Sequence, residues 1–134
     1  MLEYFSIKRV KTMINKSYEA QRSRAFESLS RYQQAELETF INGLIQGAVS
    51  FSEDNTFTVA DLVGGKFSNW ENTPLNYIYQ YHCNRTGCEN PVSEAGKDIG
   101  RIFKYIMAKD KHRKYELVGA VQRYYPINKY KMII

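Results

Sequence analysis

Three side chains with metal-ligating chemistry fall within the stretch HCNRTGC: His82, Cys83 and Cys88. An imidazole and two thiolates supply three zinc ligands, but a tetrahedral structural site needs a fourth. The reading adopted is therefore a satisfied histidine and two ordinary thiols, with no metal and no cofactor. Two cysteines are also too few for a disulfide scaffold. His112 has no acid or nucleophile at a usable spacing and reads as a polar residue near a helix end, where a cation suits the dipole. LVGGKF holds a glycine pair and a lysine without the remaining spacing of a phosphate loop, and EAGKDIG sits inside a helix. With no paired carboxylates and no nucleophile and base signature, a non-enzymatic protein is expected.

What does form a pattern is positive charge. The net charge is +5 and its layout is uneven: residues 1–35 carry seven Lys or Arg against three Glu, residues 36–75 one against six acids, and residues 76–134 eleven against five. Basic segments around an acidic middle suit a protein that turns a positive face to a polyanion, most often nucleic acid. The clearest such face lies in NPVSEAGKDIGRIFKYIMAKDKHRKYELVG, where Asn90 caps a helix and Pro91 takes its first position. Ile99, Ile102, Phe103, Ile106 and Met107 recur along one side of it. At about 100° per residue the opposite side holds Ser93, Lys97, Arg101, Lys104 and Ala108. Gly96 and Gly100 lie on one flank; each weakens a helix by roughly 1 kcal/mol against alanine, so the close approach of a second helix is expected there.

The elements that must hold this face follow from periodicity and caps. Ile7, Val10 and Ile14 among Lys8, Arg9, Lys11 and Lys16 predict a short basic amphipathic helix over 6–15, and 18–29 is also read as helical. Ser30 with Gln33 has the spacing of a capping box, followed by Leu37, Phe40, Ile41, Leu44, Ile45 and Ala48 at helical steps. TFTVADLVGG gives a short β run, then a turn of helix capped by Thr58 and stopped by Gly64 and Gly65. In ENTPLNYIYQYH, Thr73 caps and Pro74 begins a further helix. After the 91–108 helix, Tyr115 and Leu117, then Tyr130, Met132 and Ile134, alternate as the two strands of a hairpin. At 134 residues and 43% hydrophobic content the chain is large enough to bury one core. No apolar run approaches the ~18 residues of a spanning helix, and the stretch from Met1 to Lys11 is polar and charged. A soluble, cytoplasmic protein without membrane contact is expected.

Helix, strand, helix, further helix and a two-stranded hairpin with a basic aromatic tip is an order that resembles the winged helix-turn-helix superfamily over about residues 30–134. The expected fold is mainly α with a small β component (α+β), a winged-helix-like domain over 30–134 behind an N-terminal helical extension over 1–29. The resemblance implies that 91–108 is a recognition helix directing Ser93, Lys97, Arg101 and Lys104 at the major groove. It implies that 121–129 is the wing, with Arg123, Tyr124, Tyr125 and Lys129. Arg101 then reads a base, since a guanidinium pairs with both acceptors of a guanine edge, while Lys97 and Lys104 contact phosphates. The interval 65–91 is long for the turn of such a motif, so the partner of the recognition helix is either 59–64 or 74–82.

Three functions compete on this basis. The first is a duplex-DNA-binding protein, such as a small transcriptional regulator, that dimerises through N-terminal apolar residues Leu2, Phe5, Ile7, Val10 and Ile14. The second is a protein-interaction module, an inhibitor or accessory factor, that presents Trp70, Tyr77 and Tyr79 from a 64–90 insertion. The third is a single-strand binder that stacks bases on Tyr115, Tyr124, Tyr125 and Tyr130, which interleave with Lys and Arg. On the first reading Arg101→Glu abolishes binding with little change in stability, whereas Ile102→Ala destabilises the fold.

Overall fold

In the computed structural model the described residues are 12–14, 23–64, 70–122 and 126–133. Their elements are β1 (Thr12–Ile14), α1 (Arg24–Glu27), α2 (Arg31–Phe51), β2 (Thr56–Thr58), α3 (Val59–Val63), α4 (Asn76–Cys83), α5 (Pro91–Lys109), β3 (Tyr115–Gln122) and β4 (Pro126–Met132). The protein is mainly helical with a small antiparallel sheet, an α+β fold that ends in a β-hairpin. The sheet has the order β1-β3-β4-β2.

Local chemistry sets most of the boundaries. The Ser30 hydroxyl accepts from the Gln33 amide at 3.1 Å and Gln33 Oε1 accepts from the Ser30 amide at 3.0 Å, which closes the capping box of α2. Leu37, Ile41, Ile45 and Val49, four apart, bury one stripe of that helix. Thr58 caps α3 by accepting from the Asp61 amide at 3.0 Å, and Gly64 ends it at φ 74, where a side chain would be strained. The helix expected from Pro74 begins two residues later. Thr73 Oγ1 accepts from the Leu75 amide and donates to the Trp70 carbonyl, and bonds from Asn76, Tyr77 and Ile78 back to residues 73–75 make a tight turn before α4.

The N-terminal expectation needs correction. Of the helix predicted over 6–15, the described part is β1, which pairs Thr12 with Leu117 and Ile14 with Tyr115. Pairing with β3 satisfies its backbone and buries Ile14, which outweighs the helical spacing of the apolar residues. Leu2, Phe5, Ile7 and Val10 lie outside the described residues. Of the 18–29 helix, α1 is described, capped by Ser23. Ile14, Ala25 and Phe26, from the segment set apart as an extension, are buried in the same core as Leu37, Ile78, Ile99, Phe103 and Tyr130.

That core is centred on α5, whose Ala95, Ile99, Ile102, Phe103, Ile106 and Met107 are all buried. The helix packs on α4 above all, then on α2, α1 and β1. Of the two candidate partners for it, the structure therefore selects the later helix. The inner face of the sheet closes the core from the other side. There Phe57 meets Tyr115 edge-on at 6.4 Å and Tyr130 at 5.8 Å between ring centroids. A register shift between Leu117 and Gly119 bends β3 opposite Lys129.

Candidate nucleic-acid interface

Asn90 fixes the start of α5 by accepting from the Ser93 amide at 3.1 Å, with Pro91 at the position where a missing N–H matters least. Because six apolar side chains lock one side of the helix into the core, the residues a half-turn away are forced outward. Ser93, Lys97 and Arg101 are exposed and Lys104 is half-buried. Lys97 Nζ stands 3.5 Å from Glu94 Oε1 with 60% of its side chain exposed. A solvated pair of this kind contributes little, so the ammonium is available to another anion. Arg101 is held differently. Its Nη1 donates to Asp98 Oδ1 at 2.9 Å, leaving about half of the side chain, 49%, in solvent. At the end of the helix Lys109 donates to Glu38 Oε1 of α2 at 2.8 Å and lies 5.1 Å from the Tyr105 ring centroid. Burial opposes the charge on Lys109, but the bond to Glu38, its negative charge and the Tyr105 phenol together outweigh it and raise the pKa.

The expectation for Gly96 and Gly100 fails. A methyl group added at either position meets nothing within 4 Å, so no second helix approaches among the described residues. The two glycines instead leave a low, open surface between Ser93, Lys97 and Arg101. Lys129 stands on another element, half-buried on β4 opposite Gly119. With Asp54, Thr56, Glu116, Val118 and Lys131 it borders a shallow depression of about 430 Å³ on the outer face of the sheet. Arg123, Tyr124 and Tyr125 lie outside the described residues.

The feature that the sequence reading missed is beneath Arg101. Asp98 is 6% exposed and His82 is 3% exposed; His82 Nε2 on α4 is hydrogen-bonded to Asp98 Oδ2, so one carboxylate ties α4, α5 and the outward guanidinium together. His82 Nδ1 is also buried and has no hydrogen-bond partner among the described residues. A signal was present: Asp98 lies one turn before Ile102 on the apolar side of the helix, where a carboxylate needs a partner. The expected satisfied histidine is thus satisfied at one of its two nitrogens.

The other candidates sort quickly. Cys83 is exposed and Cys88 half-buried, both free thiols, and among the described residues no three His, Cys, Asp or Glu side chains converge as metal ligands. A bond to Cys83 holds the Tyr79 phenol above the ordinary tyrosine range. Trp70, Tyr77 and Tyr79, expected to form a contact surface, are used within the fold. Trp70 is buried and donates from Nε1 to the Val63 carbonyl at 2.9 Å. Tyr79 packs edge-on against it at 6.2 Å, and the Tyr77 hydroxyl donates to Glu36 Oε1. Tyr115 and Tyr130 are buried and offer no ring to a base. No helix among the described residues is long and apolar enough to cross a membrane. Compared with protein-family models, curated proteins and solved structures, the chain matches none significantly.

Proposed function

We propose that the protein binds nucleic acid, duplex DNA in preference, through the outward face of α5, on a winged-helix arrangement in which α4 supports the recognition helix. The observation that carries this reading is the open, glycine-lined surface of α5 with Lys97 and Arg101 projecting beside it. Small residues let a groove or a phosphate backbone come close, and the two cations line one side of the approach. The element order α2, β2, α3, α4, α5 and the β3–β4 hairpin agrees with the same reading. A second reading, a protein partner, rests on α2, where Tyr32 and Phe51 are 74% and 93% exposed.

An electrophoretic shift assay with duplex and single-stranded probes across salt concentrations tests the proposal, because phosphate neutralisation makes affinity fall steeply with salt. Lys97→Glu is the informative variant, since among the described residues the ammonium meets only Glu94, loosely at 3.5 Å, and the fold is indifferent to its loss. Duplex affinity is expected to drop on the order of tenfold and the salt slope by about one. Unchanged affinity and slope would return the α5 face to the status of a solvated surface.

A further inference from the structure

The residues that carry the chain from α5 into β3 are Lys109, Asp110, Lys111, His112, Arg113 and Lys114, four cations and a histidine around one acid. That acid is spent on the turn itself. Asp110 Oδ1 accepts from the His112 amide at 2.8 Å and the Arg113 amide at 3.0 Å, and Oδ2 accepts from the hydroxyl of buried Tyr115 at 3.2 Å. The other end of the turn is fixed by the Ile133 amide, which donates to the Lys114 carbonyl at 2.9 Å. Lys111, His112 and Lys114 are exposed, and among the described residues neither of these lysines is paired with a carboxylate. Arg113 reaches Asp110 only loosely, at 3.9 Å, with 40% of its side chain exposed.

We infer that this turn is a second contact for the phosphodiester backbone of nucleic acid, separate from the α5 face; the inference rests on the nucleic-acid reading above. Lys111, Arg113 and Lys114 fall within four residues, where like charges repel one another, so the turn holds its shape through Asp110 and Tyr115 and not through its cations. A polyanion relieves that repulsion, and because the backbone is already fixed, binding orders little. The dipole at the end of α5 opposes an anion with roughly half a unit of charge, against the charges of Lys111 and Lys114, which no carboxylate among the described residues offsets, and that of Arg113, which Asp110 offsets loosely. Lys97 and Lys109 are twelve residues apart on α5, about 18 Å along the axis, so a backbone that meets both regions spans about five base pairs at 3.4 Å each. An anionic membrane is the weaker fit: among the described residues the exposed large apolar side chain next to the turn is that of Ile133, whose amide bonds to Lys114, and a basic patch with a single small anchor binds lipid poorly.

The full chain, Lys97→Glu, the double variant Lys111→Glu with Lys114→Glu, and its conservative counterpart Lys111→Arg with Lys114→Arg decide the matter. Each is titrated onto a labelled duplex of one and a half turns over a range of salt, with thermal melts to verify folding. The glutamate pair is expected to lower the salt slope by about two and affinity on the order of tenfold, while the arginine pair keeps both. Should the glutamate pair bind like the parent while Lys97→Glu weakens, the turn is no contact and the α5 reading survives alone. Should the glutamate pair weaken while Lys97→Glu does not, the turn stands and the α5 face falls. A parent protein that binds vesicles of phosphatidylserine and no nucleic acid, or binds neither, overturns both.

Discussion

Asp98→Ala is the perturbation for which the structure gives the most specific consequence. The carboxylate is buried and joins His82 of α4 to Arg101 of α5. Without it the His82 ring loses its hydrogen bond at Nε2 while Nδ1 is already unpartnered, leaving a buried imidazole with nothing to bind. Leaving a buried polar group without its hydrogen-bond partner typically costs about 1–3 kcal/mol. Arg101, half in solvent, turns to water and adds less than about 1 kcal/mol. The expected loss is therefore about 1–4 kcal/mol, a sizeable share of the roughly 5–15 kcal/mol that holds a domain together. At about 3–5 °C per kcal/mol for a chain of this size, the midpoint should fall by roughly 3–20 °C. Urea titration and thermal circular dichroism measure it, and a cycle with His82→Ala isolates the pair: the double variant should cost at least about 1 kcal/mol less than the sum of the singles. A loss below about 1 kcal/mol for Asp98→Ala would show that water or local relaxation satisfies His82 and that the buried network holds nothing together. The same geometry revises the expectation that Arg101→Glu is silent in stability. A glutamate there faces buried Asp98 one turn away, and about 1–2 kcal/mol should be lost.

Ile102 is 1% exposed in the centre of the core, so Ile102→Ala should cost about 2–5 kcal/mol, read as a lower urea midpoint at unchanged slope, and should weaken binding only as the protein unfolds. The Tyr115 phenol is pushed up to about 12 by burial and by the neighbouring Asp110 carboxylate. A pKa raised above the unfolded value of about 10 favours the neutral form in the fold. That contribution is intact below pH ~10 and is lost as pH rises to about 12; Tyr115→Phe should flatten this limb of the stability profile, and an unchanged alkaline limb would refute the assignment.

What was legible in the sequence is what is local. Ser30 with Gln33, Thr58 with Asp61 and Asn90 with Ser93 each close a bond across three residues, and the stripe from Ile99 to Met107 and the alternation of Tyr130 with Met132 need only a period. The rest depends on partners far along the chain. Thr12–Ile14 is a strand because Tyr115–Leu117 lies beside it, more than a hundred residues on. Asp98 is buried because His82, on another helix, waits for it. Trp70 and Tyr77 looked like an exposed aromatic surface until Val63 and Glu36 took their polar atoms. Gly96 and Gly100 were misread in the other direction: a glycine pair in a helix announces space without saying whether that space is filled.

Lys97 and Arg101 sit one turn apart with the same charge, yet the fold treats them unequally. Lys97, itself exposed, is tied to half-buried Glu94 at 3.5 Å and follows any phosphate at little cost. Arg101 is tied at 2.9 Å to a carboxylate that His82 holds in turn. A guanidinium carries five donors in a rigid plane, so a bond from one nitrogen to Asp98 leaves others facing solvent while fixing the orientation of the fork. Arginine gives up as much as about 2 kcal/mol of rotamer freedom when it is immobilised, and here folding has already restrained part of it. On the nucleic-acid reading, then, Lys97 supplies sequence-independent attraction and Arg101 supplies orientation. What distinguishes the two is a buried aspartate, which the sequence marks only by its place on the apolar side of the helix.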